Sequence, residues 1–264
     1  MMVQWKKWCV FVLKRLLIYA LLLVMFLLLL GYIFMEKLLL PEVKTTARNG
    51  NFSVNSNGAE LDLFFQPPAP GKPVILYNHG NAETLESIKP LLDDFIHLGY
   101  GVLAYDYAGY GFSGGSASEK QVYCDAETVY RFLTVKQKVL PQNIIVMGFS
   151  IGSGGACFLA ARYPEIKALV LIAPFASAME VMLPFTLPGN RFDNKRQLKK
   201  SPVPLLIFHG SADRVIPVRN SCKLYKTAAA GRKDLKIVKN AGHNNIFDYM
   251  GHGFFRTLKD FIGE

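Results

Sequence analysis

From residue 74 onward the sequence alternates short apolar runs with longer amphipathic stretches, and this alternation constrains the fold more than any other feature. Val74-Ile75-Leu76-Tyr77 and residues 101–105, 143–147, 168–172, 204–208 and 235–238 read as strands. Residues 90–98, 119–136, 151–163, 218–229 and 246–262 read as helices. Pro90 then falls in a first helical turn, and Gly99 and Pro164 act as stops. A strand–helix repeat implies parallel strands joined by crossover helices, which cover both faces of the sheet. Strands buried on both faces must be apolar throughout, as most of these are. Ahead of them, residues 51–65 form two alternating runs around Asn57-Gly58, a two-residue hairpin turn. The expected architecture is therefore α/β: a mainly parallel sheet opened by an antiparallel hairpin, with helices on both faces. Residues 178–200 follow neither period and read as a small insertion near the strand ends. A chain of 264 residues accommodates one such domain rather than two.

The N-terminal part is of a different kind. Residues 16–35 are twenty uncharged, mostly apolar residues. As a helix they span about 30 Å, the hydrocarbon thickness of a bilayer. A cleaved signal peptide has a shorter apolar core and a small-residue cleavage site. Gly31-Tyr32-Ile33-Phe34-Met35-Glu36 offers no such site, so the run reads as a retained membrane anchor. Trp5, Trp8 and Tyr32 are placed as interfacial anchors. Lys6, Lys7, Lys14 and Arg15 precede the run. The positive-inside tendency puts them in the cytoplasm and the remaining domain across the membrane. The expected divisions are a basic segment (1–15), the anchor (16–35), a linker (36–50) and a catalytic domain (51–264).

Charge excludes little. The formal net charge is +10, of which residues 1–49 supply seven basic and two acidic side chains, leaving +5 for the rest. Without a long basic run, that balance gives no case for a nucleic-acid partner. The four cysteines form no CxxC pair, and no His/Cys/Asp grouping has metal-ligand spacing, so neither a metal nor a cofactor is expected. Cys9, beside the anchor, is a candidate for acylation.

The chemistry concentrates around Gly148-Phe149-Ser150-Ile151-Gly152, a G-x-S-x-G sequence between an expected strand and an expected helix. That spacing makes a sharp turn with the serine at its tip, where only small neighbours avoid a clash. Gly154 and Gly155 would let the following helix approach the sheet closely. A serine nucleophile needs a base, and the base an orienting acid. His243 lies in a loop directly after the last expected strand, where a base reaches a serine on a neighbouring strand. His252 falls inside the final expected helix, and His209 precedes the best acid and reads as a buried structural residue. Asp213, just past residues 204–208, is that acid. Backbone N–H groups of Ile151 and Asn81 are the expected oxyanion donors, with Gly80 or Ala82 within one residue of the second. His79 and Asp106 read as structural. Gly109 to Gly114 matches G-x-G-x-x-G, but the acid of a dinucleotide site is missing after the next strand, so the match reads as a turn.

His79-Gly80-Asn81-Ala82, the stretch from Asp106 to Ser113, Gly148 to Gly152, His209-Gly210 with Asp213, and Gly242-His243 together resemble the α/β-hydrolase superfamily. Within it they look most like the membrane-anchored, bud-emergence-type branch, which is similar to protein depalmitoylases and monoacylglycerol lipases. The resemblance implies ester or thioester hydrolysis through an acyl-enzyme, with Ser150, His243 and Asp213 as the triad. An anchor and the apolar run Val181-Met182-Leu183-Pro184-Phe185, with Leu187, favour an acyl-chain or lipid-like substrate. Two other readings are a peptidase on the same fold and a non-catalytic membrane scaffold. The short insertion argues against the first, and the complete serine, acid and base set against the second.

Overall fold

The structure, a computed structural model, describes residues 2–182 and 191–264. Leu183, Pro184, Phe185 and Leu187 of the apolar run, and the Tyr32 side chain, lie outside what is described. The chain divides into two compact units, residues 1–39 and 40–264. The first is a single helix, α1 (Met2–Leu39), of 38 residues. Its stretch Trp8–Gly31 is long and apolar enough to cross a membrane. The helix outruns the apolar segment at both ends.

The second unit is built on one eight-stranded sheet. The strands are β1 (Phe52–Ser56), β2 (Ala59–Gln66), β3 (Val74–Asn78), β4 (Gly101–Tyr105), β5 (Ile144–Phe149), β6 (Ala168–Ile172), β7 (Leu205–Gly210) and β8 (Lys233–Val238). Their spatial order is β1-β2-β4-β3-β5-β6-β7-β8. β2 runs antiparallel to both β1 and β4, and every other pairing is parallel. The helices of this unit are α2 (Leu85–His97), α3 (Glu119–Arg131), α4 (Ser153–Arg162), α5 (Ala178–Met182), α6 (Asn194–Leu198), α7 (Arg219–Thr227), α8 (Ile246–Met250) and α9 (His252–Ile262). Ile75, Tyr77, Ile145, Met147, Val170 and Phe208 join Leu92 and Phe95 of α2 and Phe254 and Leu258 of α9 in one buried cluster. The intervening Leu76, Val146, Leu171 and Ile207 are equally buried. Side chains alternate across a strand, so the opposite face is covered as well. This is the doubly covered sheet that the alternation implies.

Several elements depart from their expected bounds, each for a local reason. α2 begins at Leu85 and carries Pro90 in its interior. Thr84 caps it: its Oγ1 accepts the Ser87 N–H, and the Ser87 Oγ accepts the Thr84 N–H. That reciprocal cap starts the helix a turn and a half before the proline. The final helix is two, because Gly251 takes φ +48° between α8 and α9. His252 therefore opens a helix instead of lying inside one. Beyond Arg131, α3 widens into a π-helical turn over Phe132–Lys136. Gly154 makes room for the Phe192 ring, whereas Gly155 meets the Asn78 side chain on β3. The expected linker is only partly free. Leu40 is buried, Lys44 Nζ donates to the Ser113 carbonyl, and Arg48 pairs with the buried Asp62 at 2.7 Å.

The turn after β5 is the tightest point of the fold. A Cβ at Gly152 would lie 2.1 Å from the Asn78 carbonyl oxygen on the neighbouring strand. That atom is backbone and cannot swing away. Gly152→Ala is expected to lower stability by about 3 kcal/mol or more through overpacking. Gly231→Ala, at an exposed position with open space around it, should change stability by less than about 0.5 kcal/mol. Thermal unfolding of the two variants in detergent would compare them directly.

Candidate active site

Four strands deliver the site from their C-terminal ends, the edge at which parallel α/β sheets place their ligands. β5 ends at Phe149, and Ser150, next in the chain, sits at φ +52°. A non-glycine residue in that region is strained, and the strain lifts the side chain out of the turn. The residue is followed by a short 3-10 turn, Ser150–Gly152, before α4 begins. β7 leads to Asp213, β8 to His243, and β3 to the loop 79–83.

These elements bring three of the expected residues into one chain of contacts. His243 Nδ1 lies 2.7 Å from Asp213 Oδ2, and His243 Nε2 lies 3.0 Å from Ser150 Oγ. A carboxylate can only accept, so Nδ1 carries the proton and Nε2 is left to accept from the Ser150 hydroxyl. Asp213 is held from its other side. Its Oδ1 accepts the N–H groups of Val215 and Ile216, both at 2.8 Å. His209 completes the cradle, with Nε2 3.3 Å from Asp213 Oδ2 and 2.7 Å from the Ile216 carbonyl. Its Nδ1 accepts from the Ser221 hydroxyl at 2.6 Å. Burial alone would raise the Asp213 carboxyl. The hydrogen bonds from His209, His243 and the Ile216 N–H outweigh it and hold the group well below the usual carboxylate range.

The oxyanion side is less direct. Among the described residues no hydrogen bond uses the N–H of Ile151 or of Asn81, so both remain available to an incoming anion. The loop that carries Asn81 is tied at several points. Tyr110 Oη donates to Asn81 Oδ1 at 3.1 Å, and Tyr107 Oη donates to the His79 carbonyl at 2.8 Å. Glu83 Oε2 accepts the Gly80 N–H at 2.5 Å. Gly80 N–H is thus committed within the loop. Ala82, at φ +61°, completes the tight turn.

The comparisons with known proteins concern the fold and the family. Residues 73–193 match a family model described as the alpha/beta hydrolase fold. Residues 191–249 match one described as serine aminopeptidase, S33. Alpha/beta hydrolase domain-containing protein 17C of Xenopus tropicalis is 35% identical over 215 residues, 78% of this chain and 67% of the relative. The human protein 17B is 33% identical over 79% of this chain and 73% of its own length. The chain belongs to the α/β-hydrolase family. It is a serine hydrolase. Among solved structures, the hydrolase resembles Est1E from Butyrivibrio proteoclasticus with a TM-score of 0.67 at 20% identity, covering 81% of this chain and 100% of the other. Esterase Pf2001 from Pyrococcus furiosus matches with a TM-score of 0.67 at 19% identity, covering 80% and 90%. At those identities the likeness is one of fold.

Three features of the hydrolase's site are invisible to motif reading. Glu83 lies three residues past a glycine with no pattern to mark it. Tyr107 and Tyr110 flank a glycine turn, and only the folded chain carries them to the loop after β3. His209 was readable as buried, but its contact with Asp213 was not. His79 and Asp106 are structural, as expected. Asp106 accepts the N–H groups of Leu85 and Phe112, and burial pushes its carboxyl up to about 6. His79 donates from Nδ1 to the Gly80 carbonyl, and its buried Nε2 makes no hydrogen bond among the described residues, lying 3.9 Å from Asp106 Oδ1.

Burial lowers the His79 imidazole to about 4, with the bond to Gly80 opposing in part. A folded-state value below the unfolded one means the neutral ring contributes stability above pH 6.5 that is lost as pH falls towards 4. That difference corresponds to about 3 kcal/mol at most. Asp106, raised to about 6, acts in the opposite sense over part of the same range, so the His79 contribution is read as a difference between two chains. Between about pH 7.5 and pH 4.5, unfolding of the parent should lose stability relative to His79→Gln as pH falls.

Proposed function

We propose that the hydrolase cleaves carboxylic esters or thioesters, with acyl-chain or lipid-like substrates, through Ser150, His243 and Asp213. The observation that carries this reading is the unbroken line from Asp213 Oδ2 through His243 to Ser150 Oγ, with contacts of 2.7 and 3.0 Å. His243 Nε2 takes the Ser150 proton as Oγ attacks the substrate carbonyl. The resulting oxyanion is received by the Ile151 and Asn81 N–H groups. His243 then returns the proton to the leaving oxygen or sulfur, which departs and leaves an acyl-enzyme. Water, deprotonated by the same imidazole, releases the acid. Asp213 keeps the imidazole in the tautomer that each step needs and stabilises its charged form. No metal or cofactor enters the scheme.

We read α1 as a retained anchor with its N-terminus in the cytoplasm. The basic cluster Lys6, Lys7, Lys14 and Arg15 favours that orientation. An anchored enzyme meets lipidated or lipid-like substrates at high local concentration, which supports the acyl-chain reading. The match of residues 191–249 to a serine aminopeptidase model favours a second reading, peptide hydrolysis by the same residues. Turnover of a panel of acyl esters, thioesters and aminoacyl amides separates the two. A preference for the amides would replace the first reading with the second.

Fluorophosphonate labelling tests the nucleophile. The parent chain should label and Ser150→Ala should not; equal labelling would remove Ser150 from the scheme and a failure of both would favour a non-catalytic scaffold. Asp213→Asn should keep the fold but lower turnover of a p-nitrophenyl ester by up to about 10⁴-fold, because the imidazole then adopts the wrong tautomer.

A further inference from the structure

Hydrolysis by this scheme requires somewhere for the leaving group to sit. A cavity of about 320 Å³ opens between β3, α2 and α8, with His243 in its wall. Ser150, Ile151 and Asn81 are not among the residues that line it. The imidazole hands its proton to the departing oxygen or sulfur, so the leaving group lies on the imidazole side of the reacting carbon. The cavity borders that imidazole. It adjoins a second surface groove, sharing Leu91, Phe247 and Asp248 with it, which gives a route out.

The wall of the cavity has a consistent chemistry. Tyr77, Phe149 and Phe247 contribute aromatic rings, Glu83 a carboxyl, and Asp248 a second carboxyl at the exposed rim. No lysine or arginine lines it. Aromatic faces and carboxylates both attract cations, and desolvation strengthens the attraction. Glu83 Oε2 is engaged by the Gly80 N–H, whereas Oε1 has no hydrogen-bond partner among the described residues. Burial raises the Glu83 carboxyl, with the Gly80 N–H and the His243 charge opposing, so the carboxylate lacks a full countercharge. A bound cation would supply one.

We propose that this cavity is the leaving-group subsite, and that it receives an alcohol or thiol bearing an alkylammonium or quaternary ammonium head. The proposal rests on the Ser150–His243–Asp213 reading and extends it to the substrate's other half. The Ser150 Oγ–carbonyl bond forms, and the bond from the carbonyl carbon to the leaving oxygen or sulfur breaks. The proton first taken from Ser150 passes from His243 Nε2 to that atom, and the ammonium-bearing alcohol or thiol leaves neutral at its former ester end. Water then releases the acid. The cation stays against Glu83 and the rings throughout, changing neither charge nor bonds.

The test uses the full chain in a non-ionic detergent and two probes of equal shape. Butyrylcholine carries the quaternary nitrogen; 3,3-dimethylbutyl butyrate has carbon in its place. The parent enzyme should favour the choline ester by about 10- to 30-fold in kcat/KM. Glu83→Gln and, separately, Phe247→Leu should each bring that ratio towards one. Reading a ratio cancels any general loss of activity from disturbing the loop that Glu83 braces. A parent ratio of one or less overturns the subsite and leaves the hydrolase reading intact, as does turnover of p-nitrophenyl butyrate with neither probe cleaved. A preference that survives both substitutions also overturns it, since the cation then binds elsewhere. Failure to hydrolyse any ester, with no fluorophosphonate labelling, overturns the hydrolase reading on which the proposal stands.

Discussion

The site depends on one close approach between two backbones. Gly152, just past Ser150, lies so near the Asn78 carbonyl that no side chain fits between them. This contact brings the turn after β5 against the end of β3, and thereby sets Ile151 beside the loop that holds Asn81. The remaining contacts of the site elaborate that placement. Asn78 is buried and bonded at both ends of its amide, donating to the Met147 carbonyl and accepting from Tyr105. β3, which leads to the Asn81 loop, is thus fastened to β5, which leads to Ser150. Catalytic preorganisation of this kind arises from packing first and from polar contacts second.

Three carboxyls in the domain show how environment divides one chemical group into different roles. Asp213 is ringed by donors and stays ionised. Asp106 is also buried, and burial outweighs two backbone N–H groups and the attraction of Lys44, so its carboxyl is raised to about 6. Glu83 is raised by burial, with one N–H donor and His243 opposing in part. The distinction is the number and charge of donors, since all three are withdrawn from water. Sequence position alone cannot supply that number, because the donors come from distant segments.

Much of the architecture was readable before folding. The apolar runs marked every parallel strand, and Asn57-Gly58 marked the hairpin, since these signals depend on burial and turn geometry close in sequence. Ser150, Asp213 and His243 were readable as candidates for a related reason: each follows a strand end, and strand ends share one edge of the sheet. What escaped was set by competition between local signals. Pro90 suggested a helix start, but the Thr84 and Ser87 cap acts earlier and more strongly. Residues 246–262 kept a helical period across Gly251, so the break at that glycine was hidden. The tethers from Tyr107, Tyr110 and His209 are tertiary, and no spacing rule announces them.

The break at Gly251 has a consequence for how such an enzyme can diversify. It separates α8 from α9, whose Phe254 and Leu258 belong to the central core. α8 is then a short helix of its own, anchored in the core by Ile246, that carries Phe247 and Asp248 to the cavity wall. Ser87 and Leu91, on α2, line the same cavity, as does His243. Substitutions on α2 and α8 alter its wall without replacing Ser150, His243 or Asp213. In the proposed scheme, substrate choice and bond breaking then fall largely to different residues that meet at His243, and one set can drift under selection while the other is held constant.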